Sequence, residues 1–246
     1  MQCIEFFKNI KNLNACFTTR IKGFSKSPYN QLNFASYVGD NQNNVEKNFT
    51  ILKNHLKTKN LVLMKQIHSG IVKEIKSVND TFLECDAIIT NQPNIYLGVM
   101  VADCNPILVY DKHNRAIGAI HAGRAGVFKN IINNTLLLMK DRFKTNFKDL
   151  EIVIGPSIKS CCYEVGQEIA DICYAKNYQF ALSKKNNSYY LDLIQIILFQ
   201  LKELNILDKQ IVIDNHCTSC DNNLFYSYRK EKTTGRFLGV IGMKDY

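Results

Sequence analysis

The chain has 246 residues, 46% apolar and 22% charged, which is globular composition and enough length to bury a core without covalent staples. Its nine cysteines are odd in number and scattered, so they do not read as a disulfide framework, and reduced thiols in a cytoplasmic protein are expected. The net charge of +9 is dispersed, with only short pairs such as Lys184-Lys185 and no basic arm or RNA-binding aromatic motif, which argues against a nucleic-acid partner.

Taken in chain order, residues 1–18 lack a secretory pattern, since Lys8 and Lys11 interrupt any apolar stretch. Strands are predicted at 16–19, 61–66, 87–90, 96–102, 107–111, 116–121, 151–154, 211–214, 225–228 and 237–243. Several are β-branched runs without alternation, as expected of strands covered on both faces. Helices are predicted at 45–56, 126–142, 165–176 and 191–204. In the third, Val165, Ile169, Ile172 and Cys173 share one face; the fourth has Asp192 as its cap. The 191–207 stretch is too short and too polar to span a bilayer, so no membrane partner is expected. Strands and helices mix without strict βαβ alternation. The expected fold is therefore α+β, a single layered domain over 1–246 with mixed sheets flanked by helices. Neither GxGxxG nor a P-loop is present.

Three residues stand out: His68 in Lys65-Gln-Ile-His-Ser69, Cys104 in Ala102-Asp-Cys104, and His121 in Ile120-His-Ala-Gly123. Each follows or ends an apolar run. Two imidazoles and a thiolate suit zinc with three protein ligands and one open position, the arrangement of catalytic rather than structural zinc. Pro106 is expected to end regular pairing, leaving Cys104 at the mouth of a strand. The spacing matches no short zinc-finger pattern, and a buried cysteine with two core histidines is the competing explanation.

A second candidate is His216-Cys217-Thr-Ser-Cys220, where CxxC suggests zinc or redox chemistry. Two more ligands would be needed. Cys161 and Cys162 are available, but adjacent cysteines are poor partners for one ion, so reduced thiols in a loop are expected. Anion contacts could come from Arg20, Lys65, Arg124, Arg229, Lys230 and Arg236, all beside strand ends or glycine turns. The 121–126 segment opens a helix whose free N–H groups could hold an anion.

These segments together resemble one family. Phe17-Thr-Thr-Arg20, Leu32-Asn33, Gly39-Asp40, Gln66-Ile-His68, Asp86-Ala87, Ala102-Asp-Cys104, His121-Ala-Gly123, Ile154-Gly-Pro-Ser157, Cys162-Tyr-Glu-Val-Gly166, Leu191-Asp-Leu193, Cys217-Thr218, Phe225-Tyr-Ser-Tyr-Arg229 and Thr234-Gly-Arg236 follow in its order. It is the YfiH/YlmD-like or DUF152 family, also called the laccase-domain or polyphenol oxidase family and related to FAMIN. The resemblance implies an α+β fold grouped with cysteine hydrolases and a zinc ion on His68, Cys104 and His121. It implies a purine nucleoside enzyme that phosphorolyses adenosine, inosine and methylthioadenosine and deaminates adenosine, with nucleoside and phosphate as its small-molecule partners. Some members are instead linked to peptidoglycan precursor editing. One departure is local: the family's His-Ala-Gly-Trp-Arg-Gly reads His121-Ala-Gly-Arg124-Ala125-Gly126 here, which moves the arginine about 100° around a helical first turn.

On this reading Cys104, His68, His121 and Asp103 are the catalytic candidates, with Asp103 carrying a proton. Arg20, Asn33, Lys65, Arg229 and Arg236 are the candidates for phosphate and substrate contacts. Deamination needs an acidified water at C6 of adenine; phosphorolysis needs phosphate held against C1′. The alternatives are a zinc or Cys-His hydrolase, a copper polyphenol oxidase and a zinc-stabilised binding module. A multicopper oxidase relies heavily on imidazole, and five histidines (His55, His68, His113, His121, His216) are too few.

Overall fold

Two mixed six-stranded sheets pack face to face, and helices cover their outer faces. The computed structural model describes residues 1–245. The first sheet runs Cys3–Phe6, Leu13–Thr18, Phe237–Met243, Tyr96–Val101, Leu61–Lys65, Leu83–Glu84. The second runs Ile211–Ile213, Leu150–Ile154, Asn105–Asp111, Ala116–Ala122, Ala87–Thr90, Val72–Glu74. Both contain antiparallel and parallel neighbours: Phe237–Met243 is antiparallel to Tyr96–Val101, whereas Leu61–Lys65 is parallel to it. A small third sheet joins Glu164–Val165, Ser188–Leu191 and Leu182–Lys185.

The unalternating apolar runs are explained by this layering. Along a strand successive side chains face opposite ways. Leu97, Val99 and Val101 point into the core between the sheets, whereas Tyr96 and Met100 face the helix Gln42–Leu56. Leu108 and Tyr110 likewise enter the inter-sheet core, while Ile107 and Val109 meet the helices Ile131–Phe143 and Leu193–Glu203. Both faces are buried, so both must be apolar, and each fully buried aliphatic side chain contributes about 1.5–3 kcal/mol.

The α+β class and most elements agree with the expectations, including Asp192, whose side chain accepts a hydrogen bond from the Gln195 amide. Four expectations are corrected. The helix expected at 126–142 is two helices, Arg124–Phe128 and Ile131–Phe143, separated where Asn130 takes a left-handed backbone (φ 59°). Residues 225–228 form no strand: Phe225 and Tyr226 are buried, and Ser227 caps the short helix Tyr228–Glu231. Ile172 is exposed although Ile169 and Cys173 on the same helix are buried. Pro106 begins regular pairing instead of ending it, as the second residue of Asn105–Asp111, opposite His121. Among the described residues no helix is long and apolar enough to cross a membrane.

Candidate active site

The three singled-out residues meet at the seam between the two large sheets. Cys104 lies in the bend linking Tyr96–Val101 of the first sheet to Asn105–Asp111 of the second. His68 lies in the connection from Leu61–Lys65 of the first sheet to Val72–Glu74 of the second. His121 is the next-to-last residue of Ala116–Ala122. Two of the three therefore sit where the chain crosses between sheets, which brings together residues distant in sequence. Gln66 ties the crossings: its side chain donates to the Met100 carbonyl (2.8 Å) and accepts from the Met100 amide (2.9 Å), extending the strand ladder by one rung.

The ligand atoms of His68, Cys104 and His121 all lie within 4.8 Å of one another, and the two imidazole rings stand nearly perpendicular (85°). Gly123 leaves room for this convergence. A Cβ there would stand 3.0 Å from Cys104 Sγ, 3.3 Å from His68 Cδ2 and 3.5 Å from His121 Cε1.

Asp86, fully buried, organises two of the three groups. It accepts from His121 Nδ1 (2.8 Å), from the amides of His68 (3.0 Å) and Ser69 (2.5 Å), and from Ser69 Oγ (2.7 Å). The His68 backbone is left-handed (φ 56°), and the amides that Asp86 gathers offset the cost of that conformation. With Nδ1 committed to Asp86, His121 has Nε2 free for Cys104 or for a metal, an orientation seen in many metal-ligating histidines.

The electrostatics of the ion-free site follow from these contacts. Burial pushes the Asp86 carboxyl up, but hydrogen bonds from His121 and Ser69 outweigh it and bring the pKa down to about 2. Burial also raises the Cys104 thiol, yet the His121 charge and hydrogen bonds from both histidines lower it to about 6. His121 is pushed down by burial and up, more strongly, by the Cys104 thiolate and Asp86, to about 9. At neutral pH the site therefore carries a thiolate–imidazolium pair backed by a carboxylate.

Beside Cys104 opens a cavity of about 380 Å³. Its walls are Ala102, Asp103, Cys104, Arg124, Ile158, Tyr163, Leu193, Tyr228, Arg229 and Lys232. Arg229 lies over the Tyr163 ring at 5.3 Å and donates from Nη1 to the Glu164 carbonyl. Asp103 has a left-handed backbone (φ 89°), and both of its carboxylate oxygens are engaged, by Thr218 Oγ1 (2.7 Å) and by the Arg229 amide (2.6 Å). A larger depression of about 740 Å³ around Leu137, Lys140, Phe147 and Asn205 has no imidazole or thiol in its lining.

The expected site residues are thus distributed unequally. His68, Cys104, His121, Asp103 and Arg229 come together. Arg236 is not in the cavity lining but contacts one of its walls: its guanidinium lies 5.9 Å over Tyr228 and donates to the carbonyls of Thr234 and Gly235. Arg20 is buried in a structural network, paired with Glu231 (2.9 Å) and stacked on Tyr226 (4.4 Å). Asn33 is fully buried and serves Ala35, Asp40 and the Arg236 amide. Lys65 is exposed and paired with Glu84 at 2.8 Å. None of these last three lines the cavity. Tyr163, Tyr228 and Lys232 line it without having been singled out in the sequence. Tyr163 and Tyr228 stood within family-like motifs, and that was the signal available.

Cys161, Cys162, Cys217 and Cys220 are free thiols outside the helices and strands, as expected, and their sulfurs come together. His216 does not join them; its Nδ1 meets Asp214 at 2.8 Å.

Two mixed sheets with a His₂Cys centre at their seam, opening on a cationic and aromatic cavity, define an α+β protein built around one three-ligand site. The chain belongs to the YfiH/YlmD-like laccase-domain family: the family profile described as "Multi-copper polyphenol oxidoreductase laccase" matches residues 14–244. Among its relatives, "Purine nucleoside phosphorylase YlmD" of Bacillus subtilis (strain 168) is 30% identical over 253 residues, covering 97% of this chain and 91% of that protein. "Purine nucleoside phosphorylase YfiH" of Escherichia coli (strain K12) is 31% identical over 235 residues, covering 94% of each. The crystal structure of YlmD from Geobacillus stearothermophilus superposes with a TM-score of 0.90 at 27% identity, over 97% of this chain and 94% of that one. That of the Bacillus licheniformis hypothetical protein YfiH gives 0.88 at 31%, over 94% and 93%.

Proposed function

We propose that this chain is a zinc-dependent purine nucleoside phosphorylase acting on adenosine, inosine and methylthioadenosine. The observation that carries the reading is the His68–Cys104–His121 convergence at the edge of a cavity walled by Arg124, Arg229 and Lys232 on one hand and Tyr163 and Tyr228 on the other. The names of the relatives support the same reading.

The donor set fits zinc: two imidazole nitrogens and one thiolate, with no fourth protein ligand in the group. Zinc held by His68, Cys104 and His121 would supply a Lewis acid with one open coordination position. Copper oxidase chemistry finds little support despite the family's description. Among the described residues no other candidate metal group contains two imidazoles, as a second copper centre would require.

The remaining work falls to the chain itself. In phosphorolysis a phosphate oxygen bonds to C1′ while the C1′–N9 bond breaks, and the departing purine takes up a proton. Arg124 and Arg229 suit forked contacts to phosphate, and Lys232 adds a third positive charge on the same wall. Tyr163 and Tyr228 offer aromatic surface to the flat base. Burial raises the Tyr163 hydroxyl pKa against the opposing pull of Arg124 and Arg229, so it stays a donor at neutral pH.

Adenosine deamination is the finer part of the proposal. Of the residues lining the cavity only Asp103 bears a carboxylate, which makes it the candidate proton carrier. Its engagement by Thr218 and the Arg229 amide favours positioning the Cys104 bend as its first task.

One observation favours a second reading. Cys104, His121 and Asp86 form a thiolate–imidazole–carboxylate relay of the kind cysteine hydrolases use. His68 also hydrogen-bonds the Cys104 thiol, a contact that such a relay does not need and a metal site does. Metal analysis of Cys104→Ala separates the two. Loss of one zinc ion together with turnover supports the phosphorylase, whereas lost turnover with the zinc content of the parent protein unchanged supports the hydrolase.

A further inference from the structure

Four cysteine sulfurs converge outside the cavity. Cys161 and Cys162 lie in the turn between Leu150–Ile154 and Glu164–Val165, and Cys217 and Cys220 in the turns after Ile211–Ile213. All four sulfurs lie within 4.8 Å of one another. Cys161–Cys162 is 3.7 Å, Cys161–Cys220 3.8 Å and Cys162–Cys220 3.4 Å. Thiolates around one zinc ion, each about 2.3 Å from it, stand about 3.8 Å apart. A disulfide would bring two sulfurs to about 2.0 Å.

We propose that Cys161, Cys162, Cys217 and Cys220 form a second metal site, a tetrahedral four-thiolate centre for structural zinc. Adjacency of Cys161 and Cys162 is no obstacle here. In a strand neighbouring side chains diverge, but this segment is a turn, with the amides of Cys162 and Tyr163 both bonded to the Lys159 carbonyl at 2.9 Å, and its two sulfurs face the same point. Cys217 and Cys220 have the x₂ spacing of zinc-binding loops. Cys217, the buried member, accepts hydrogen bonds from the amides of Lys159, Ser219 and Cys220, donors suited to a ligating thiolate.

Charge balance is also provided for. Four thiols release four protons to water as four zinc–sulfur bonds form, leaving a centre of net charge −2. Lys159, held by Ser157 Oγ (3.2 Å) and the Asp214 carbonyl (2.9 Å), and Lys230, held by the Ser219 carbonyl (3.2 Å), bring two ammonium groups to the same loops.

The site would join two loops that both bear on the catalytic bend. Ser157 pairs with Cys217 in an isolated bridge, the Ile158 amide donates to the Asp103 carbonyl (2.9 Å), and Thr218 Oγ1 donates to the Asp103 carboxylate. A metal here fixes the floor on which Asp103 and Cys104 rest.

The test is elemental analysis of the full chain purified with zinc, alongside cobalt(II) substitution. The expected result is about two zinc ions per chain. One is lost in the double variant Cys162→Ser/Cys220→Ser and the other in His68→Ala. Cobalt-loaded Cys104→Ser, which keeps all four loop cysteines, is expected to retain the intense thiolate-to-cobalt bands of a four-sulfur site, a readout that does not depend on the double variant folding. Zinc content unchanged by the double variant, cobalt bands no stronger than a single thiolate gives, or a Cys162–Cys220 disulfide in freshly purified protein would each overturn the proposal.

Discussion

The Asp86 carboxylate meets Nδ1 of His121 at 2.8 Å with both groups buried, and the same carboxylate holds the His68 amide. One residue therefore orients one imidazole and shapes the loop of the other. Asp86→Asn keeps the volume but removes the charge and alters the donor pattern. Outer-shell partners of metal-bound histidines typically contribute 10- to 100-fold in metal affinity, so zinc affinity is expected to fall by about that factor. Competition with a chromophoric chelator measures it. An unchanged affinity would show that Asp86 serves packing alone.

The ion-free site makes a prediction about pH. The Cys104 thiol has its pKa lowered to about 6, chiefly because the His121 charge and the hydrogen bonds of both histidines outweigh burial. The thiolate is the reactive form, and a lowered pKa means it persists down to mildly acid pH. Alkylation of Cys104 in metal-stripped protein, followed by peptide mass spectrometry, should rise through about pH 6 and level off, whereas an ordinary thiol would still be gaining at about pH 8.5. Replacing His121 with Asn should move the midpoint upward. A midpoint near the ordinary thiol value in the parent protein would contradict the assigned ion pair.

Gly123 has an extended backbone (φ −73°, ψ 164°) that alanine also adopts, so Gly123→Ala tests space alone. Its new methyl would stand 3.0 Å from Cys104 Sγ. We expect weaker zinc binding with little change in thermal stability, because the crowding falls on the ligands and not on the core. Zinc affinity equal to that of the parent would mean that the ligands can give way without cost.

Arg124 occupies the place where relatives are expected to carry tryptophan, yet it lines the cavity beside Cys104. A charged hydrogen bond lost to substrate costs about 1.5–3 kcal/mol, roughly 10- to 100-fold. Arg124→Met is therefore expected to raise KM for phosphate by that factor while changing KM for the nucleoside much less. Equal effects on both would place Arg124 against the base or the sugar instead.

These sites differ in how far the sequence exposed them. Cys104 and His121 were legible because apolar runs end beside them, and strand ends in layered folds are where side chains reach an edge. For Arg20 the sequence hides a partner. A basic residue next to a strand end looks available to an anion, but its partner Glu231 is 211 positions away in sequence, and only the fold brings them to 2.9 Å. Phe225 and Tyr226 carry β-type side chains and are buried, yet they lie in an irregular stretch leading into the helix Tyr228–Glu231, so the segment reads as a strand without forming one. The four-cysteine cluster was hidden because adjacency argues against chelation unless the backbone turns, and nothing in Cys161-Cys162 alone announces that turn.

We propose that the His68–Cys104–His121 centre serves cleavage of a purine nucleoside by phosphate. Its most direct test is incubation of the zinc-replete protein with inosine or adenosine, with and without phosphate, resolving the products chromatographically. Free purine and ribose-1-phosphate are expected in equal amounts, formed only with phosphate and absent with Cys104→Ala. Unreacted nucleoside under these conditions, or purine released with free ribose irrespective of phosphate, would contradict it.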